Sequence, residues 1–333
     1  MLAAVIFGLG AITSLAASAL LVSRLARLGE LLGLSEAMLG LLLALAADAP
    51  EISAAMSALV HGQHDVGIGV VLGSNVFNLA ALLGLGAVVA GRIALHRRVM
   101  LLEGFVAIWI ALVALVVVAG WMGPPMGCVL AASVFGPYVV ISAVHPDRRR
   151  RMLRWVPRRG WLADALAEEE EDLLPAIHPR RGRPRDAAFA AAALVVVVAA
   201  SIAMERAATS LGARYGVPSV IVGGVVLAAV TSLPNAVAAV YLASRGRGAA
   251  TLSEALNSNT LNIVVGLLLP GLFLGLAEPS GGALFVAVWY VGMTLFALGL
   301  ALRRRGLSRR AGIAIIALYG AFVAALVAAG SLW

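Results

Sequence analysis

Read for its apolar and polar positions, the chain is a succession of apolar runs of roughly 20 residues, the length a helix needs to cross a hydrocarbon core about 30 Å thick. The runs place ten helices near 2–22, 37–60, 66–90, 99–120, 124–144, 187–208, 217–243, 249–276, 281–302 and 311–332. Four polar islands interrupt them: Ala-Asp-Ala-Pro-Glu at 47–51, Gly-Ser-Asn-Val-Phe-Asn at 73–78, Thr-Ser-Leu-Pro-Asn at 231–235 and Asn-Ser-Asn-Thr-Leu-Asn at 257–262. The pattern predicts an all-α polytopic membrane protein with polar chemistry at membrane depth.

Composition agrees. Of 333 residues 62% are hydrophobic and 13% charged, too little polar surface for a soluble globule of this size. All 25 basic residues are arginine, and they follow helices 1, 3, 5, 7 and 9; only Arg206 and Arg214 fall on the other side. The positive-inside rule then puts both termini outside. The net charge of +8 is thus a topology signal spread over five loops, and nucleic acid is not expected as a partner. Helix 1 has no basic stretch before it, so it reads as a retained span and not a cleaved signal peptide. The one cysteine, Cys128, permits no intramolecular disulfide and reads as a packing residue.

The extended hydrophilic stretch 145–186 divides the chain into a first five-helix repeat (1–144), a cytoplasmic loop, and a second five-helix repeat (187–333). An odd number of helices per half forces the halves to enter the membrane in opposite senses, which predicts two inverted repeats. The loop's acidic run, Asp164 to Asp172 with glutamates at 168–171, reads as a solvated helix, with a regulatory cation site as the less favoured reading. The repeat is visible position by position: Pro50, Ser74, Asn75 and Asn78 recur 184 residues later as Pro234, Ser258, Asn259 and Asn262. Gly33 and Gly40 recur at 183 as Gly216 and Gly223, so the first part of helix 2 is one residue shorter than its counterpart in helix 7.

A polar, proline-broken segment at membrane depth, once in each half, points to a midplane ion or substrate site. Pro50 and Pro234 free carbonyl oxygens in helices 2 and 7, and in lipid those oxygens need partners. Hard cations such as Na⁺ and Ca²⁺ take carbonyl, amide, hydroxyl and carboxylate oxygens. Asp48 and Glu51 sit one helical turn apart; Ser74 with Asn78, and Ser258 with Asn262, give helices 3 and 8 each an oxygen-bearing face. Close packing and helix–helix hydrogen bonding account equally well for any single serine or asparagine. The carboxylates differ, because each costs roughly 2.5–3.5 kcal/mol at a helix centre, which makes Glu51 and Asp48 the leading functional candidates. Glu254 is a candidate for lining an access path; Glu103, Glu205 and Glu278 read as interfacial; His61, His64 and Asp65 read as outer-loop residues.

The duplicated pattern resembles the alpha repeats of the sodium/calcium exchanger (cation/calcium exchanger) superfamily, which typically read Gly-Thr-Ser-Leu-Pro-Glu followed by Gly-Ser-Asn-hydrophobic-Phe-Asn or Asp. The matching blocks lie at about 33–91 and 216–275. The resemblance implies a cation site between helices 2, 3, 7 and 8, alternating access, and sliding of helices 1 and 6. Its acidic ligands fall on Glu51 and, as a departure, on Asn235. Its Thr-Ser pair falls on Thr231 and Ser232 in the second repeat and on Ala47 and Asp48 in the first. On helices 3 and 8 its ligands fall on Ser74, Asn78, Ser258 and Asn262, and Asn257 replaces the usual glycine.

The implied function is antiport of Ca²⁺ or another cation against Na⁺ or H⁺, the ions being substrates with no resident cofactor. Both acids would come from the first repeat, and one protonatable member offers a route to H⁺ coupling. The alternative is a membrane sensor or scaffold derived from the same fold that no longer transports. An enzyme is not expected, since the membrane helices carry no Gly-x-Ser-x-Gly, His-Glu-x-x-His or paired-aspartate motif. The expected surroundings are inorganic cations and the lipid bilayer, in a plasma (inner) membrane on a compositional argument for a bacterial source; a homo-oligomer is left open.

Overall fold

The structure, a computed structural model, describes residues 1–144, 159–173, 182–246, 248–276, 278 and 280–330. Its helices are α1 (Leu2–Leu32), α2 (Glu36–Ala47), α3 (Ala49–Val60), α4 (His64–Asn78), α5 (Gly86–Ala90), α6 (Arg97–Val118), α7 (Pro124–Ala143), α8 (Arg159–Leu173), α9 (Arg185–Tyr215), α10 (Ser219–Ile221), α11 (Ala228–Thr231), α12 (Leu233–Ser244), α13 (Gly248–Ile263), α14 (Leu269–Leu274), α15 (Gly281–Arg304) and α16 (Arg309–Ala329). Three π-helical segments, Leu79–Leu85, Val222–Leu227 and Val264–Leu268, join α4 to α5, α10 to α11 and α13 to α14. A short antiparallel ribbon pairs β1 (Arg92–Ala94) with β2 (Gly306–Ser308), Arg92 lying opposite Ser308. Among the described residues eight helices are long and apolar enough to cross a membrane, or up to ten if each of two bent pairs is one span.

The bent pairs fall where proline was expected to break the helices. Ala37–Ala47 and Ala49–Val60 meet at 52°, and Ser219–Thr231 and Leu233–Ser244 meet at 43°. Pro50 and Pro234 each stand in the first turn after the break, where the missing N–H costs nothing. The residues at the breaks are Asp48 and Ser232, both held off helical geometry with ψ near zero.

The one-residue mismatch between the halves has a structural cause. Val222–Leu227 is π-helical, whereas the equivalent stretch of α2 is an ordinary α-helix. A π-bulge accommodates one extra residue without breaking the helix. It sits between Gly223, related to Gly40 at 183, and Pro234, related to Pro50 at 184.

Helices α1 and α9 run side by side, joined by Ser14 and Ser201 hydroxyls 2.9 Å apart and by Arg24, whose guanidinium donates to Asp186 at 2.8 Å. Both are longer than their apolar runs. Leu25 and Leu28 pack against the α1/α9 contact and carry α1 ten residues past its expected end, to Gly33 in the left-handed conformation. Glu205 of α9 is buried within the protein, receiving Ser57 Oγ at 2.8 Å and Thr209 Oγ1 at 3.0 Å. Glu103, in the second turn of α6, is also buried, while Glu278 is exposed.

At the centre, α4 crosses the π segment Val222–Leu227 at backbone contact. A Cβ on Gly73 would lie 2.3 Å from the Gly224 oxygen, and one on Gly223 would lie 2.3 Å from the Val66 oxygen. Only glycine permits helices to approach this closely.

The acidic helix of the middle stretch, α8, is not fully solvated. Its residues Leu162, Ala165, Leu166 and Glu169 recur at helical spacing on one face; Ala165, Leu166 and Glu169 are buried and Leu162 packs against the main core. Arg98 pins its outer face through Glu168 at 2.8 Å and Asp164 at 3.5 Å. The charge run concealed this amphipathic stripe. Residues 145–158 and 174–181, with the rest of that loop's charge runs, lie outside the described residues.

Candidate cation site

The two helix breaks and the central parts of α4 and α13 converge on one buried polar cluster. Asp48 and Glu51, expected to share a cavity, are both fully buried. Their partners come from the other half of the chain. Ser232 Oγ donates to Glu51 Oε1 at 2.6 Å, and the Asn262 amide donates to Glu51 Oε2. Ser258 Oγ donates to Asp48 Oδ1 at 2.7 Å.

Asn235 Nδ2 lies 3.1 Å from Asp48 Oδ1, 3.2 Å from Asn78 Oδ1 and 3.5 Å from Glu51 Oε1. With two protons, it serves the two shorter contacts best. Asn78 closes the ring by donating to Ser258 Oγ at 3.1 Å and Asn259 Oδ1 at 3.3 Å.

Seven of the nine expected site residues thus form one connected network: Asp48, Glu51, Asn78, Ser232, Asn235, Ser258 and Asn262. Ser74 lies beside the Glu51 carboxyl, but its hydroxyl turns back to the Val70 carbonyl. Thr231 is buried nearby with its hydroxyl donating to Leu227 O at 2.9 Å, along its own helix. Both hydroxyls follow the habit of Ser and Thr in helices, bonding four residues back.

Asn75 and Asn259, not among the expected ligands, form the inner support. Each donates its amide to the other's backbone carbonyl at 3.0 Å, and the Asn75 Oδ1 receives Asn262 at 3.2 Å. The two residues are 184 apart, the spacing at which Pro50 and Pro234 also recur. The Tyr138 hydroxyl, with its one proton, donates to Glu169 of α8 at 2.8 Å and lies 3.2 Å from Asn257 Oδ1, a shared contact. Helix α8 is therefore linked, through one tyrosine, to the residue preceding Ser258.

Two features set the cluster's electrostatics. Among the described residues no arginine or histidine forms an ion pair with Asp48 or Glu51, so their hydrogen-bond partners are all neutral. Asp48 Oδ2, Asn235 Oδ1 and Asn262 Oδ1 are buried and receive no hydrogen bond. A pair of acids with one bare carboxyl oxygen, beside two bare amide oxygens, is a donor set suited to a hard cation. Among the described residues no group of three or more His, Cys, Asp or Glu side chains is placed to hold a metal, so a cation here would depend on neutral oxygens as well as the two acids.

Fold and site together define a multi-pass membrane protein with a buried carboxylate pair among neutral hydrogen-bond donors. Comparison with known proteins makes this specific: the chain belongs to the sodium/calcium exchanger protein family, whose profile matches residues 2–144 and 187–328. Human sodium/potassium/calcium exchanger 3 is 31% identical over 136 residues, a match covering 38% of this chain and 21% of that protein. The chain therefore spans about a fifth of the length of such relatives. The inner membrane protein YrbG of Escherichia coli (strain K12) is 26% identical over 253 residues, covering 75% of this chain and 73% of YrbG. The fold is shared with the crystal structure of H⁺/Ca²⁺ exchanger CAX (TM-score 0.68, 15% identity, 99% of this chain and 87% of that one). It is shared also with the sodium-calcium exchanger NCX_Mj (TM-score 0.61, 19% identity, 98% and 99%).

Proposed function

We propose that the protein is a cation antiporter that exchanges Ca²⁺ or another cation for Na⁺ or H⁺ by alternating access at the Asp48/Glu51 cluster. In this reading each bent pair is one span, giving ten transmembrane helices as two inverted five-helix repeats around the stretch 145–186, with both termini outside a plasma (inner) membrane. The observation that carries the proposal is the absence, among the described residues, of any positive group paired with Asp48 and Glu51. Leaving two buried acids uncompensated is costly, so the site favours states in which cations balance them. A rearrangement that requires a balanced site is an exchange and not a leak. The names of the relatives, sodium/potassium/calcium exchangers among them, support the choice of ions.

All nine residues, Asp48, Glu51, Ser74, Asn78, Thr231, Ser232, Asn235, Ser258 and Asn262, belong to the proposed cation site, Ser74 and Thr231 through small hydroxyl rotations. The test is uptake of radiolabelled Ca²⁺ by proteoliposomes against an outward Na⁺ gradient and, separately, an outward H⁺ gradient. Uptake that is lost in Glu51→Gln supports exchange at this site and names the coupling ion. Uptake of equal size in Glu51→Gln would place transport elsewhere, and none under either gradient would favour a non-transporting role.

A further inference from the structure

A cavity of about 780 Å³ opens beside the site on the side of Arg24, Arg27 and Arg245, between α1, α2, α12 and α13. Its walls reach Ala47 and Pro234, the residues next to the helix breaks, so it ends against the Asp48/Glu51 cluster. The opposite side of the cluster is closed by the glycine crossing of α4 with the π segment, where Gly73 meets Gly224. The repeat counterpart of Gly73 is Asn257, which instead lines the cavity together with Gly40. One crossing is tight, and the residues related to it in sequence line an open cavity.

Glu254 is the one acid on the cavity wall. Its Oε2 is shielded from solvent and receives no hydrogen bond, and the hydroxyl of the adjacent wall residue Ser253 is likewise without a partner. Ser258, which donates to Asp48, stands four positions after Glu254, so the two lie on one face of α13, a turn apart. The Glu254 and Asp48 carboxyls are near enough to feel each other's charge. A second cavity, about 730 Å³ along α3 and α9, has no carboxylate on its wall and offers a cation nothing comparable.

We propose that Glu254, with the Ser253 hydroxyl and the Asn257 amide, forms a transit site in this cavity that takes up a partly hydrated cation and passes it one helical turn inward to Asp48 and Glu51. The inference rests on the exchange reading above and adds a residue that acts on one face of the membrane only. A single carboxylate among neutral oxygens binds weakly, which suits a site that must release its ion. A charged cleft with low-dielectric walls also raises the local cation concentration.

The experiment uses the full-length protein in membrane vesicles of defined orientation, with Ca²⁺ as probe and its half-saturating concentration measured separately at each face. Glu254→Gln is expected to raise that concentration about tenfold at the face bearing the cavity, the low end of the gain a charged cleft provides. The opposite face keeps the wild-type value, and Glu254→Asp recovers most of the loss. Equal shifts at both faces would mean general damage to packing and overturn the transit site, as would no shift at either. If Glu51→Gln abolishes exchange while Glu254→Gln behaves as wild type, the transit site falls and the exchange reading stands. A wild-type protein that moves no ion under either gradient overturns both.

Discussion

Replacing Gly73 with alanine tests the crossing that closes one side of the site. The added Cβ would lie 2.3 Å from the Gly224 oxygen and 2.6 Å from its Cα. Ordinary Cβ contacts begin at 3.4 Å, so α4 and the π segment must part by about 1 Å to restore normal van der Waals spacing. Both partners are backbone, and no rotamer change relieves the clash. Overpacking of this kind costs about 3 kcal/mol where neither side can yield, which predicts a fall in thermal midpoint on the order of 5 °C for a chain of this size. The assay is thermal unfolding in detergent, followed by tryptophan fluorescence. The control is Gly292→Ala, a mid-helix glycine of α15 with open space around it, where alanine gains about 0.5–1 kcal/mol. If Gly73→Ala were as stable as Gly292→Ala, the close crossing would be wrong, and with it the account of which side of the site is closed.

Two further predictions concern the supports of the cluster. Tyr138→Phe removes the donor shared by Glu169 and Asn257; because both acceptors are buried, a loss of about 2 kcal/mol is expected in the same unfolding assay, and a variant as stable as wild type would show that α8 docks without this bond. Asn75→Ala and Asn259→Ala each remove one amide that donates to the other residue's buried backbone carbonyl and leave the second bond in place, so each single variant should lose about 1–2 kcal/mol in the same assay; a single variant as stable as wild type would deny that bond.

Much of this architecture was legible because the membrane simplifies the code. Apolar runs gave the long helices, and Pro50 and Pro234 gave the two breaks, since proline is excluded from a helix interior but suits the first turn of the helix that restarts. The repeat in sequence also brought Asp48, Glu51, Asn78, Ser232, Asn235, Ser258 and Asn262 to attention as one set. Features depending on side-chain direction were not legible. Nothing in the sequence says that Ser74 and Thr231 turn to their own backbone, because a helical hydroxyl chooses between a near carbonyl and a distant partner by tertiary geometry. The burial of Glu205 and Glu103 was missed because helix ends were drawn where the apolar run stopped, whereas α9 continues to Tyr215. The burial of Glu169 was missed because four glutamates hid a helical stripe of only four residues.

The division of labour inside the cluster follows from the two departures at Asp48 and Asn235. Both acids stand on one bent pair, at and just after its break, while Ser232, Asn235, Ser258 and Asn262 from the second half act as donors to them. The hydrogen bonds that satisfy the acids are thus bonds between halves of the chain, and they hold the two halves together across the site. In the proposed exchange, a cation arriving at Asp48 and Glu51 would compete with those donors for the same oxygens, while the bare amide oxygens of Asn235 and Asn262 could turn toward it. Binding would then exchange contacts between the halves for contacts to the ion, a differential interaction of the kind needed to shift a conformational equilibrium. With an acid at position 235 the second half would carry charge of its own and repel the first; with asparagine, hydrogen bonds join the two halves at the site instead.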